Sequence, residues 1–139
     1  MHEVHMRWAD MDAYRHVNNG AYLAYLEQAR IGMFFHRHTG FSEGTVISRH
    51  EIDYVRPIVY HPEPLRVEVW IEKIGGARFT VRYEIFDGTT LAARAATSCV
   101  TFDFSTDRPR RLTEAERAIL VSYSDEPAGP AAANIADGA

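Results

Sequence analysis

The segment from Asn19 to His38 constrains the fold more than any other. Tyr22, Leu23, Leu26, Ala29, Met33 and Phe34 recur at helical spacing, while Tyr25, Ile31 and Phe35 widen the apolar stripe past a single face. A helix that is apolar nearly all round has to be enclosed, so the rest of a 139-residue chain must be built to wrap it. Asn18 or Asn19 can cap its start, and Gly40 stands where a left-handed residue would end it.

The covering material is read from a change of period after Gly40. Val46, Ser48, His50, Ile52 and Tyr54 alternate with Ile47, Arg49, Glu51, Asp53 and Val55 until Pro57 breaks the ladder. Leu65, Val67, Val69 and Ile71 alternate with Arg66, Glu68, Trp70 and Glu72. Beyond Gly75-Gly76, Phe79, Val81, Tyr83 and Ile85 form a third ladder, and Asp87-Gly88 signals a tight turn into a last strand over residues 90–104. A short strand over residues 3–9 precedes the helix, and Thr113-Glu114-Ala115-Glu116 opens a short helix over 113–122. The predicted class is α+β, with an antiparallel sheet curled around one long buried helix in the order β-α-β-β-β-β, plus a short C-terminal helix. Residues 1–123 form one domain in this reading, and the Pro-, Gly- and Ala-rich stretch 124–139 is a disordered tail.

Charge predicts a register for the Gly75-Gly76 hairpin. Apolar residues must share a face, and a three-residue loop at Ile74 to Gly76 then sets Arg66 opposite Glu84, Glu68 opposite Arg82 and Glu72 opposite Arg78. The next permitted register places Glu68 against Glu84. A single small sheet cannot cover the helix completely, so its edges and uncovered apolar surface favour a homodimer or homotetramer.

A net charge of −4 argues against nucleic acid as a partner. One cysteine, Cys99, cannot form an intrachain disulfide, and its place inside a strand suits packing. The N-terminal residues lack the apolar core of a signal peptide, and no segment is long and apolar enough to cross a membrane. A soluble cytoplasmic protein is expected. Among the seven histidines, His36 and His38 diverge, His2 and His5 are terminal, and no carboxylate or thiol cluster stands at ligand spacing, so neither a metal nor a cofactor is expected.

The chemistry concentrates just ahead of the helix. Asp10 and Asp12 lie in a polar loop that feeds into a helix N-terminus, where unpaired amides can polarise a carbonyl while a carboxylate works on its carbon. On spacing alone, turn and capping roles are the commoner use of Asp10, Asp12, Asn18 and Asn19. Arg7-Trp8-Ala9-Asp10-Met11-Asp12, then His16-Val17-Asn18-Asn19 and Tyr22-Leu23-x-Tyr25-x-Glu27-x-Ala29-Arg30, resembles the N-terminal signature of hotdog-fold acyl-CoA thioesterases of the 4-hydroxybenzoyl-CoA thioesterase-like branch. The similarity spans roughly residues 3–104.

That resemblance implies hydrolysis of an acyl-CoA thioester. Asp12 would be nucleophile or general base, and the backbone amide of Asn19 would polarise the carbonyl. Asp10 would organise the loop. Glu27 would be a reserve acid, or would form a buried ion pair with Arg30 or Arg7. His16, Asn18, Tyr25, Arg56 and Arg78 are candidate substrate contacts, with bonding to the loop backbone the commoner role for His16. The two arginines would meet CoA phosphates, though ordinary solvated pairs explain arginines equally well. Trp8, Tyr14, Tyr25, Phe34 and Tyr54 could line an acyl pocket, against a default reading as core. The family often carries Gly where this chain has Arg15. If that glycine needs a positive φ, either Arg15 is strained or the turn differs here, and the Arg15 side chain could face solvent and meet a CoA phosphate. The rival readings are a hotdog hydratase or dehydratase using Asp12 with His16, a non-catalytic acyl-CoA-binding module, and a purely structural dimer unit.

Overall fold

Four long strands carry the period-two segments: β2 (Thr45–Tyr54), β3 (Leu65–Glu72), β4 (Arg78–Asp87) and β5 (Thr90–Asp103). With β1 (His2–Val4) and β6 (Arg108–Pro109) they form an antiparallel sheet of order β1-β3-β4-β5-β2, with β6 paired to β5. Helices α1 (Ala21–Phe34) and α2 (Glu114–Ser122) complete the chain. This computed structural model describes residues 1–34 and 44–124. The predicted helix end at His38 and Gly40, and the tail from residue 125, lie outside the described residues.

The alternation explains how the sheet meets the helix. Val81, Tyr83 and Ile85 of β4 stand across from Thr97, Ala95 and Ala93 of β5, and all face the same side as Val67 and Ile71 of β3. They bury against Tyr22, Tyr25, Leu26, Ala29 and Met33 of α1, which gives one core between sheet and helix. The hotdog arrangement follows from this wrapping. The Asp87-Gly88 turn is confirmed too, with Gly88 at φ +63° between the paired Asp87 and Thr90.

Three expectations are corrected. The first strand runs only over His2–Val4, because Trp8–Asp10 instead forms a single 3₁₀ turn held by hydrogen bonds from Arg7 to Asp10. Helix α1 is not buried all round in the single chain: Ala24, Glu27 and Gln28 are exposed and Leu23 is 43 % exposed. The sheet lies on one side only, so one helix face is left open.

The hairpin register is the third. Glu68 sits directly across from Glu84, Arg66 from Phe86 and Glu72 from Thr80, the arrangement that charge counting rejected. Two-strand counting ignored the third strand, where Arg94 of β5 lies opposite Glu84. Arg66 meets Glu68 along its own strand at 3.8 Å and covers the Phe86 ring. The connection is also longer than three residues. Lys73 takes φ +54°, and the amides of Leu112 and Thr101 bond the carbonyls of Gly76 and Ala77. Cross-strand charge pairs are worth only about 0.2–1 kcal/mol, too little to override such anchoring.

Helix α2 begins as expected. Thr113 Oγ1 accepts from the Glu116 amide and Glu116 accepts from the Thr113 amide, a reciprocal cap. Its far end is tied to the sheet, since the Ile71 amide donates to the Tyr123 carbonyl.

Candidate active site

Asp10 anchors the loop between β1 and α1. It is 6 % exposed and accepts from the Arg7 amide at 2.9 Å, the Arg7 guanidinium at 2.9 and 3.1 Å, and the Tyr25 hydroxyl at 2.7 Å. Burial pushes its carboxyl up, but the Arg7 amide, the Tyr25 hydroxyl and the Arg7 guanidinium outweigh this and hold it below the usual carboxylate range. The Asn18 amide donates to the Asp10 carbonyl at 2.8 Å, which folds the loop back beside the 3₁₀ turn.

Asp12 sits at the head of that fold, half-buried. Its Oδ1 accepts from the amides of Tyr14 (2.8 Å) and His16 (3.2 Å), and its own amide donates to the His16 carbonyl at 2.8 Å. Among the described residues Oδ2 has no partner, so one carboxylate oxygen is fixed and the other is uncommitted. Arg15 closes the turn with its amide on the Asp12 carbonyl, at φ +63°. This is the left-handed conformation that the family glycine would adopt freely. Arg15→Gly is therefore expected to raise stability by about 0.5–1 kcal/mol, read as a higher urea midpoint with an unchanged slope.

Asn18 and Asn19 prepare the helix start. Asn18 Oδ1 accepts from the Gly20 amide at 2.8 Å and its carbonyl accepts from Ala21. The Asn19 carbonyl accepts from the Tyr54 hydroxyl of β2 at 3.2 Å. Among the described residues the Asn19 amide has no acceptor, so it stays available at the positive end of α1. Next to it lies an open groove of about 390 Å³, bounded by Asn19, Gly20, Leu23, His50, Ile52 and Tyr54.

Asp12, His16, Asn18 and Asn19 thus share one loop, Asp12 bonded to the His16 backbone and Asn18 to the Asp10 carbonyl, and of the four it is Asn19 that borders the groove. The backbone of His16 pairs with Asp12 and bridges to Val59, whereas among the described residues its imidazole makes no hydrogen bond. Tyr25 is buried, with its hydroxyl on Asp10, and Phe34 is also core. Tyr54 lines the groove, edge-on to Tyr22 at 5.0 Å, while Trp8 and Tyr14 are exposed. Arg56 follows β2 at the same end of the sheet, its amide on the Ala92 carbonyl. Arg78 opens β4 at the opposite end, about 30 Å of strand from Asp87. The expected pairing of Glu27 with Arg30 or Arg7 does not form: Glu27 is exposed, Arg7 holds Asp10, and Arg30 donates to Tyr83. Burial pushes the Cys99 thiol up to about 11, partly opposed by Arg30.

Two features escaped the sequence reading. His61 Nε2 meets Asp87 at 2.6 Å, clamping the segment that carries Ile58 and Val59, the backbone partners of Val17 and His16, onto the β4–β5 turn. His50 enters the groove from β2. The alternation of His50, Ile52 and Tyr54 was the available signal, but which face met the helix was not. Among the described residues no group of three or more His, Cys, Asp or Glu side chains is placed to hold a metal ion.

A family model described as the thioesterase-like superfamily matches residues 6–121, most of the chain including the loop, the groove and α2. The chain belongs to the thioesterase-like superfamily. Among solved structures, a Thermus thermophilus thioesterase complexed with coenzyme A and zinc is 29 % identical, with a TM-score of 0.79 over 91 % of this chain and 95 % of that one. A predicted thioesterase from Bacillus stearothermophilus is 26 % identical, with a TM-score of 0.82 over 91 % of this chain and 97 % of the other. A 1,4-dihydroxy-2-naphthoyl-CoA thioesterase from Synechocystis, 20 % identical, shares the fold with a TM-score of 0.77 over 91 % and 97 % of the two chains. No functionally curated protein matches the chain in sequence. Membership of the thioesterase-like superfamily supports thioester hydrolysis as the chemistry. No helix among the described residues is long and apolar enough to cross a membrane.

Proposed function

We propose that this chain hydrolyses an acyl-CoA thioester to the free acid and CoA, in the cytoplasm, with Asp12 and the Asn19 amide as its catalytic groups. The observation that carries the reading is their place in one loop: a half-buried carboxylate with one oxygen uncommitted among the described residues, and a helix-start amide that has no acceptor among them and borders a groove. The thioester carbonyl oxygen sits on the Asn19 N–H, which stabilises the negative charge that develops there. Asp12 either attacks the carbonyl carbon or takes a proton from the attacking water. The C–S bond then breaks and CoA leaves as a thiolate that takes up the proton released from water; on the direct-attack route that water cleaves the Asp12 anhydride and so frees the acid. A coenzyme A complex in the Thermus relative supports CoA as the carrier group.

The hydratase alternative needs an Asp12–His16 side-chain dyad. Asp12 bonds the His16 amide instead of its ring, which favours hydrolysis. The edge strand β2, the exposed Leu23 beside it and the open face of α1 support assembly of two copies along β2, as a homodimer or as half of a homotetramer. A panel of short, long and aromatic acyl-CoAs with thiol detection tests the activity, and sedimentation equilibrium tests the assembly. Thiol release from none of them, or a monomer of 15.8 kDa at micromolar concentration, would sink the corresponding part.

A further inference from the structure

Behind the groove runs a chain of four polar side chains that the proposed catalytic step does not use. Arg30 Nη1 of α1 donates to the Tyr83 hydroxyl of β4 at 3.1 Å. Tyr83 donates to Thr97 Oγ1 of β5 at 2.9 Å, and Thr97 Oγ1 lies 2.9 Å from Nδ1 of His50 on β2. His50 stands directly across from Thr97, on the face that carries Ile52 and Tyr54 into the groove.

The direction of the hydrogens is set at the Arg30 end. A guanidinium only donates, so the Tyr83 oxygen accepts and its own hydrogen passes to Thr97. Thr97 is 0 % exposed, and among the described residues Tyr83 and His50 are the only partners of its hydroxyl. A buried hydroxyl places its hydrogen on an acceptor, and that acceptor is His50 Nδ1. The ring therefore carries its hydrogen on Nε2, the nitrogen not engaged by Thr97. Burial, and then the positive charge of Arg30, hold His50 below the ordinary histidine range and so keep the ring neutral.

Position decides what this donor can reach. Tyr54 touches the Asn19 carbonyl, and His50 lies four residues further along β2, about 13 Å away. A thioester carbonyl held at Asn19 is too distant to be shared. The far end of an acyl group laid along Leu23 and Ile52 is not.

We infer that His50 is a specificity-determining residue, whose Nε2–H, oriented by Thr97, Tyr83 and Arg30, donates to a hydroxyl or oxo oxygen at the far end of the acyl group. The substrate class is then an oxygen-bearing acyl thioester in preference to a plain hydrocarbon one of equal length. An all-hydrocarbon acyl group would cover the N–H without pairing it, which is unfavourable. The inference rests on the thioesterase reading above. Thr97, Tyr83 and Arg30 act through His50 as positioning residues.

The test compares hexanoyl-, octanoyl- and decanoyl-CoA with their ω-hydroxy counterparts. At the matching length, kcat/KM is expected to be about tenfold higher for the hydroxy substrate, mostly through KM. That ratio falls to about one in His50→Phe and stays well above one in His50→Gln, which keeps an N–H donor. In Thr97→Val, and independently in Tyr83→Phe, the ratio falls and ¹⁵N spectra show His50 leaving the Nε2–H tautomer. Equal kcat/KM at every length in the wild type, a preference that persists in His50→Phe, or a wild-type ring protonated at Nδ1 would each overturn the inference. Failure of the thioesterase reading looks different: no acyl-CoA releases thiol. The intact acyl-CoAs then serve as ligands, and a larger Tm rise with the ω-hydroxy compound, lost in His50→Phe, sustains the subsite, whereas equal rises reject it.

Discussion

Asp12→Asn is expected to lower kcat for acyl-CoA hydrolysis by about a hundred- to ten-thousand-fold, with Tm nearly unchanged. The substitution separates chemistry from architecture because of what Oδ1 does. An asparagine Oδ1 still accepts from the Tyr14 and His16 amides, so the turn survives while the charge that makes the group a base or nucleophile is gone. Thiol release at saturating substrate, alongside a melting curve, checks both halves. A variant with near wild-type kcat on every acyl-CoA would remove Asp12 from the mechanism. Single turnover in ¹⁸O-water then distinguishes its two possible roles. Label entering the Asp12 carboxylate marks direct attack through a mixed anhydride, and label found only in the product acid favours activation of water.

Much of this architecture was legible because it rests on local periodicity. The alternation over β2 to β5 and the helical spacing of Tyr22, Leu26, Ala29 and Met33 need no tertiary information, and both are realised. Arg15 was legible through a departure from a motif: a side chain where glycine is usual points to positive φ, which is what it takes. What failed depended on neighbours remote in sequence. The β3–β4 register could not be fixed from two strands, because Arg94 arrives from β5 and the connection is anchored by Thr101 and Leu112. The open face of α1 was misread because apolar periodicity reports what can be buried, not which side the sheet covers. The Arg30–Tyr83–Thr97–His50 chain was invisible for the same reason. Its members lie on four elements and meet only once strand pairing sets His50 across from Thr97.

The second large effect falls far from the groove, on the packing of α2. Glu116 is 1 % exposed, and its carboxylate accepts from both Arg110 Nη atoms at 2.7 and 2.8 Å and from the Thr113 amide at 2.9 Å. Arg110 itself is only 16 % exposed and also reaches the carbonyls of Phe102 and Gly44. Solvent screening of this pair is therefore slight, unlike that of the exposed Arg49–Glu51 pair. Glu116→Ala removes the carboxylate that the largely buried Arg110 guanidinium grips with both Nη atoms and opens the reciprocal cap. The expected loss is about 3–5 kcal/mol, a fall in Tm of about 10 °C or more. Burial pushes the Glu116 carboxyl up, but Arg110 and Thr113 outweigh it, so the group stays below its ordinary value of 4.5. A depressed folded-state pKa contributes stability that is complete above that ordinary value and is lost as pH falls through the folded one. The gap in unfolding free energy between wild type and Glu116→Ala is thus full at neutral pH and narrows below about pH 4.5. Urea unfolding at a series of pH values measures it directly, and a gap that widened on acidification would mean that the Arg110–Glu116 pair is not its source.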